Sequence, residues 1–300
     1  MVTGSEPIVF PDSLGGNLFG NYYIRSLDDI KKLRREFKPG KRVLIIGGGY
    51  IGLELAAVAR KKELQVTLVE AQERLLKRVA CSQTASYFKN LHEQNEVKII
   101  QGKSIVKLIE KKGVFAGAVL DSGEELHADF SVIGIGVKPC IYLARGCGLE
   151  IDNGIRIDKY CQTSDANILA AGDCASFPYQ NERLRLESVG NAIEQAEVAA
   201  LNALGHNQEY NAKPWFWSDQ YDNKLQIAGL SLGYDKVVVR KYKNSSSMWY
   251  FKMKKLIAVD AINDAKAYMV AKTLIARDQS PKESNILDLN LDLKSLLMIS

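Results

Sequence analysis

The sequence predicts an α/β chain with a separate C-terminal α+β domain on an antiparallel sheet. Two observations carry this. Lys41–Glu70 reads strand, glycine turn, helix, strand, acid: Arg42–Ile46 is apolar and β-rich, a helix runs from Ile51 to about Lys61, and Gln65–Val69 is a second strand closed by Glu70. From Lys213 the pattern changes to aromatic-rich alternation (PWFWSDQY, KLQIAGL, KVVVRKY, MWYFKM, KLIAVDAI), the period-two signature of strands. A length of 300 residues suits two domains, or one with a satellite.

The elements follow in order. The opening MVTGSEPIVF looks like the tail of a strand and a turn. Asp28–Glu36 is a short helix with Ser26 as N-cap. Within Lys41–Glu70, Gly47, Gly49 and Gly52 fit G-x-G-x-x-G. Gly47 permits the tight turn, Gly49 lets the backbone approach a pyrophosphate, and Gly52 lets the helix pack closely on its strand. The helix N-terminus presents free N–H groups to phosphates. Glu70, about 20 residues past the glycines, is placed to accept from a ribose diol. The segment is therefore a Rossmann-type dinucleotide site. Ser82–Gln94 is a helix, Val97–Ile100 a strand, and Val114–Leu120 with Glu125–His127 flank the hairpin signal at Asp121–Gly123. Phe130–Ile135 and Ile168–Ala171 are buried strands, and Val189–Leu204 is a helix ended by Gly205. The C-terminal strands form a meander with breaks at Asn223, Gly233-Tyr234 and Asn244–Ser247. The helix Ala265–Arg277 covers it, and a tail with one short helix, Leu293–Met298, ends the chain.

Composition narrows the function. Hydrophobic content of 46%, charged content of 25% and a net charge of +5 are those of an ordinary globular protein. The densest basic run, Lys31, Lys32, Arg34 and Arg35, is a solvated helix face, so nucleic acid is not the expected partner. No apolar run approaches the ~20 residues of a membrane span. No signal peptide is evident, and Cys81, Cys140, Cys147, Cys161 and Cys174 are odd in number with no C-x-x-C, so reduced thiols and a cytoplasmic location are expected. His92, His127 and His206 lack metal-ligand spacing and are assigned to the surface; no metal is expected.

Four further segments are candidates. Gly134-Ile135-Gly136, before Pro139, lies where a sheet presents ligands at strand C-termini, and reads equally as a tight turn. Gly172-Asp173, at the end of Ile168–Ala171, is either a ribose or ribityl contact or an Asx turn. The helix starting near Ser188 presents its dipole to a reduced isoalloxazine, while its apolar positions are core. Trp215-Phe216-Trp217-Ser218 is either core or an aromatic wall over a planar cofactor.

Together LIIGGGYIGLELAA, VTLVEAQERLLKRV, GIGVKP, ILAAGDCA, RLESVGNAIEQA, PWFWSDQYDNKLQIAGL and LIAVDAINDAKAYM resemble the NADH-dependent, FAD-containing reductases of ferredoxins and rubredoxins, in the family's order and over nearly the whole chain. The resemblance implies a Rossmann-type NAD domain inserted in a truncated FAD domain. It divides the chain into 1–27 as FAD-domain remnant and linker, 28–150 as NAD(H) domain, 151–207 as the C-terminal part of the FAD domain, and 208–300 as the interface domain. It implies NADH contacts at Gly47, Gly49, Tyr50, Ile51, Gly52, Glu70, Gly134, Ile135 and Gly136. Glu54 is implied near the nicotinamide carboxamide. Gly172, Asp173, Glu187, Ser188 and Val189 are implied along the flavin, with Trp217 beside its ring. Hydride would pass from nicotinamide to flavin, and single electrons then to a ferredoxin or rubredoxin.

The chain also departs from the resemblance. The family's opening β-α-β unit, on the order of a hundred residues, has no counterpart before MVTG. Glu6 stands where a basic residue often faces the FAD phosphates, and Cys140 replaces a common Asn. The expectations are therefore weak FAD retention, self-association through an exposed FAD-domain face, and, as the alternative function, an NAD(H)-binding remnant without FAD or redox activity. An interaction protein on the same fold would be expected to carry a large C-terminal insertion, and none is visible.

Overall fold

A computed structural model describes residues 1–180 and 182–298. A five-stranded parallel sheet lies at its centre, in the order Asn21–Tyr22, Phe130–Ile133, Arg42–Ile46, Gln65–Glu70, Lys98–Gln101. The helices Tyr50–Lys61 and Ser82–Gln94 cover one face. A three-stranded antiparallel sheet, Ile105–Lys111, Val114–Leu120 and Glu125–His127, covers the other, with Leu108, Phe115 and Ala118 packed on Leu44, Ile46 and Val69. The sequence reading missed its first strand: Ile105–Lys111 mixes Lys, Glu and apolar residues, carries two register shifts, and keeps no clean alternation. The helix before the glycine unit runs Leu27–Leu33, shorter than expected, behind a full capping box in which Ser26 and Asp29 exchange hydrogen bonds.

The C-terminal sheet has five antiparallel strands, but it is not a simple meander. The order is Trp215–Gln220, Asn223–Gly229, Lys255–Ile262, Ser246–Lys252, Lys236–Lys241, so the last strand inserts between the second and the fourth. Its alternation divides two cores. Met248 and Tyr250 face the helices Tyr50–Lys61 and Ser82–Gln94 through Leu53 and Phe88, while Trp249 and Phe251 face the helix Ala265–Ala276. The parallel-sheet unit is thus packed directly on the C-terminal sheet.

The middle of the chain differs most from expectation. Ile168–Ala171 is not a regular strand. Ala170 N–H donates to Cys161 O, Ala171 N–H donates to Met1 O, and the Met1 amino group donates to Leu169 O. Burial made the segment apolar, yet its backbone is satisfied by single bridges to two distant pieces of chain. The strands Ile155–Arg156, Ala175–Tyr179 and Glu182–Leu184 form a small sheet beside it that the sequence pattern did not announce. The central strand ends at Ile133, and Val137–Pro139 is a strand of its own, antiparallel to Ser5–Pro7. Pro139 is tolerated because this pair is an isolated two-stranded edge.

Candidate cofactor clefts

The glycine loop is built by close backbone approaches. Gly47 has φ +112°, and a Cβ there would lie under 3.0 Å from Gly134 O; a Cβ at Gly52 would do the same against Gly47 O. Gly49 is different: a Cβ there would meet nothing within 4 Å. Gly49 is also the N-cap of Tyr50–Lys61, with no side-chain cap and no acid in the first turn. The helix therefore offers unpartnered N–H groups and its positive end to open space. Ile51, 53% exposed, borders that space.

Glu70 closes the loop from below. Its Oε2 accepts from Gly48 N–H (2.6 Å) and its Oε1 from Gln72 N–H (2.7 Å). A carboxylate oxygen has further lone pairs, so this bracing leaves acceptor capacity for a diol. Gly48, overlooked in the sequence, is packed between Leu75 and this carboxylate. Gly134 N–H donates to Ile46 O, Gly136 carries φ +120°, and Gly136 O accepts from Ile8 N–H. Gly134-Ile135-Gly136 therefore lines the same sheet end as Gly47–Gly52 and Glu70.

A second cluster lies across the pair Ser5–Pro7 and Val137–Pro139. Asp173 Oδ2 accepts from Ser5 Oγ (3.0 Å) and lies 3.6 Å from Arg25. Gly172, at φ +83°, donates its N–H to the buried Gln195 Oε1 (2.8 Å). Arg185 binds Asp173 O and pairs with Glu187. Ser188 caps the helix Val189–Ala203 by accepting from Asn191 N–H, which leaves its O–H and one lone pair for a further partner. Val189 is exposed. Gly190 in the first turn lets Trp215 sit against the helix; Trp217, 38% exposed, stacks on Trp215 with ring centroids 5.5 Å apart. Glu6, expected to face phosphates as a bare carboxylate, is paired with Lys138 at 3.1 Å.

Glu54 joins the two clusters. It lies one turn beyond Tyr50, whose ring packs on Phe216 at 5.1 Å, and its Oε1 accepts from Ser218 Oγ at 2.6 Å. Burial pushes the Glu54 carboxyl up, the Ser218 hydroxyl pulls it back, and Asp219 pushes it up again. Among the described residues no hydrogen-bond partner reaches the buried Tyr50 hydroxyl. Behind Ser218 stands His92, which the sequence had assigned to the surface and which is fully buried. A polar residue on an amphipathic helix reads as solvent-facing unless its partners are known, and these partners, Gln220 and Tyr221, lie 128 and 129 residues away. His127 and His206 are exposed.

Residues 1–196 match the family described as pyridine nucleotide-disulphide oxidoreductase, and residues 215–297 match the reductase C-terminal family. The chain is 38% identical to rhodocoxin reductase of Rhodococcus erythropolis over 298 residues, which is 98% of this chain and 70% of that one. It is 37% identical to putidaredoxin reductase of Pseudomonas putida, over 99% of this chain and 72% of the relative. The reductase in the crystal structure of a covalent putidaredoxin reductase–putidaredoxin complex superposes with TM-score 0.95 at 35% identity, over 99% of this chain and 73% of the other. This chain belongs to the pyridine nucleotide-disulphide oxidoreductase family. Members of this kind are NADH-dependent flavoprotein oxidoreductases using FAD and NADH. The residues fit both groups in part: the open, uncapped Gly49 end suits a pyrophosphate, and Gly172, Asp173 and Trp217 offer a backbone approach, an acceptor and an aromatic face. Among the described residues there is no cluster of His, Cys, Asp and Glu able to hold a metal, and no helix long and apolar enough to cross a membrane.

Proposed function

We propose that the chain serves an NADH:ferredoxin-type oxidoreductase reaction, with residues 28–150 holding NADH, residues 1–27 and 151–207 facing FAD, and residues 208–300 facing a small iron–sulfur or iron protein. The observation that carries this is the strand Trp215–Gln220. Its alternation sends Trp217 to the side of the Ser188 helix, through Trp215 on Gly190, and Ser218 to Glu54, so one strand touches both clusters of candidate residues. The chemistry supplied by bound FAD is the exchange of a hydride for single electrons.

The protein's own residues bind and orient. The Gly49 helix end receives the pyrophosphate, and Glu70 accepts from the adenosine ribose while disfavouring a 2′-phosphate. The Glu54 carboxylate accepts from the nicotinamide carboxamide. Gly136 lies against the nucleotide, Asp173 accepts a ribityl hydroxyl, and Trp217 walls the ring. Orientation is the main contribution to rate. Buried free thiols at Cys81, Cys161 and Cys174 accord with a reducing compartment, and we place the protein in the cytoplasm. Tryptophan-fluorescence titration with NADH and NADPH tests the reading. NADH should bind at least about tenfold more tightly, the cost of setting a phosphate against a carboxylate. Equal affinities would remove Glu70 from the ribose site.

A further inference from the structure

Four buried or half-buried side chains continue inward from Glu54. Ser218 Oγ–H donates to Glu54 Oε1 (2.6 Å), and Gln220 Nε2–H donates to Ser218 Oγ (3.1 Å). Gln220 Oε1 faces His92 Nε2 (2.9 Å), and His92 Nδ1 faces Tyr221 OH (3.1 Å). Ser218, Gln220 and His92 are inaccessible to solvent. With the Gln220 amide in this orientation the donors set the proton positions. An amide oxygen only accepts, so His92 Nε2 carries hydrogen and Nδ1 accepts from the tyrosine. Every bond then points toward Glu54 and ends on a carboxylate.

The same groups have one other self-consistent arrangement, with every bond reversed. A protonated Glu54 donates to Ser218 Oγ, the serine hydroxyl donates to Gln220 Oε1, the turned amide donates to His92 Nε2, and His92 Nδ1–H donates to Tyr221. A mixed arrangement, in which Ser218 Oγ accepts from both Glu54 and Gln220, leaves the buried serine hydroxyl hydrogen without an acceptor, which costs more than either uniform one. A proton on Glu54 that faces Ser218 and the tautomer of His92 are therefore two ends of one switch.

We propose that His92 is a positioning residue for Glu54: its tautomer, relayed by the Gln220 amide and the Ser218 hydroxyl, sets whether the acid at the nicotinamide end of the cleft is an acceptor or a donor. The link to nicotinamide rests on the functional reading of Glu54 above; the relay itself does not. Burial disfavours an imidazolium at His92, so the ring switches between neutral tautomers. The other charged groups facing the chain are Asp219 beside Glu54, and Arg60 and Lys61 at the Tyr221 end.

The test uses the 300-residue chain labelled with 15N-histidine, whose three histidines are distinguished by His92→Gln. At neutral pH the His92 ring should show the Nε2–H pattern. In Glu54→Lys, whose ammonium can only donate to Ser218, it should change to Nδ1–H. Adding Ser218→Ala to Glu54→Lys should restore the parent pattern, because the relay is cut; a merely structural histidine would ignore both substitutions. A folded Glu54→Lys chain with the His92 tautomer unchanged overturns the proposal. NADH titration of His92→Phe separates the two readings. A loss of about tenfold, the size of one hydrogen bond to a charged group, with near-parent binding in His92→Gln, supports both. A tautomer that switches with NADH affinity unmoved upholds the relay and overturns Glu54 as the nicotinamide contact.

Discussion

Gly49 and Gly52 are three residues apart in one motif and should fail in opposite ways. A Cβ at Gly52 collides with the backbone carbonyl of Gly47, an atom that cannot rotate aside. The helix would have to lift from the sheet where Leu53 and Ala56 are fully buried. Overpacking of this kind costs about 1–3 kcal/mol or more, so Gly52→Ala should shift the urea midpoint strongly. At Gly49 the added methyl meets nothing, and the backbone (φ −81°, ψ −177°) is one that alanine adopts freely. Losing glycine at the N-cap and stiffening the unfolded chain nearly cancel, leaving stability within about 1 kcal/mol of the parent. The methyl would occupy the space a pyrophosphate must enter. Losing one hydrogen bond to a charged group costs roughly 1.5–3 kcal/mol, or about 10- to 100-fold in affinity. Urea unfolding and NADH titration of both variants measure the two effects separately. A Gly49→Ala chain that binds NADH as tightly as the parent would refute the placement of the phosphates.

Three other outcomes are expected. Burial pushes the Asp260 carboxyl up from its ordinary range to about 6, opposed by the hydroxyls of Tyr250 and Thr84. The folded state thus holds this proton more tightly, and stability should fall as pH rises from about 4 to 6, by about 3 kcal/mol; Asp260→Asn should lose that slope in pH-resolved unfolding. Arg240 is buried, with its guanidinium gripped by the carbonyls of Ile286, Asp288, Leu289 and Leu291, so Arg240→Met should free the C-terminal tail to limited proteolysis while the core remains folded. Burial pushes the Cys161 thiol up to about 12, and Cys81 and Cys174 are also inaccessible. Iodoacetamide at neutral pH should therefore label Cys147 first, Cys140 slowly and the other three only on unfolding, as mass spectrometry would show.

How much was legible in the sequence follows the range of the interactions. The strand Arg42–Ile46, the helix Ser82–Gln94 and the hairpin strands Val114–Leu120 and Glu125–His127 lie where their local patterns put them, because capping and periodicity operate within a few residues. Ile168–Ala171 went wrong for the converse reason: its apolar run records burial, while its hydrogen bonds are supplied by Met1 and Cys161. The insertion of Lys255–Ile262 between earlier strands was equally invisible, since alternation reports which face is buried and carries no information about which strand is the neighbour.

The candidate site divides along the same line. The glycine loop and Glu70 form a local motif whose spacing encodes its geometry. Glu54 and Trp217 came from a resemblance, and what relates them is a single strand in which neighbouring side chains point to opposite faces. That relation has a physical consequence. Trp217 and Ser218 are adjacent, so a shift of the strand that moved the aromatic relative to its cleft would also move the Glu54 hydrogen bond. The strand is held from both sides, by Gly190 under Trp215 and by His92 against Gln220. The Glu54 carboxyl and the Trp217 ring, on the proposed reading an acid near one cofactor and an aromatic beside the other, are thereby kept in register by burial and hydrogen bonding. Such register is needed by a reaction whose rate rests on the mutual placement of two bound groups.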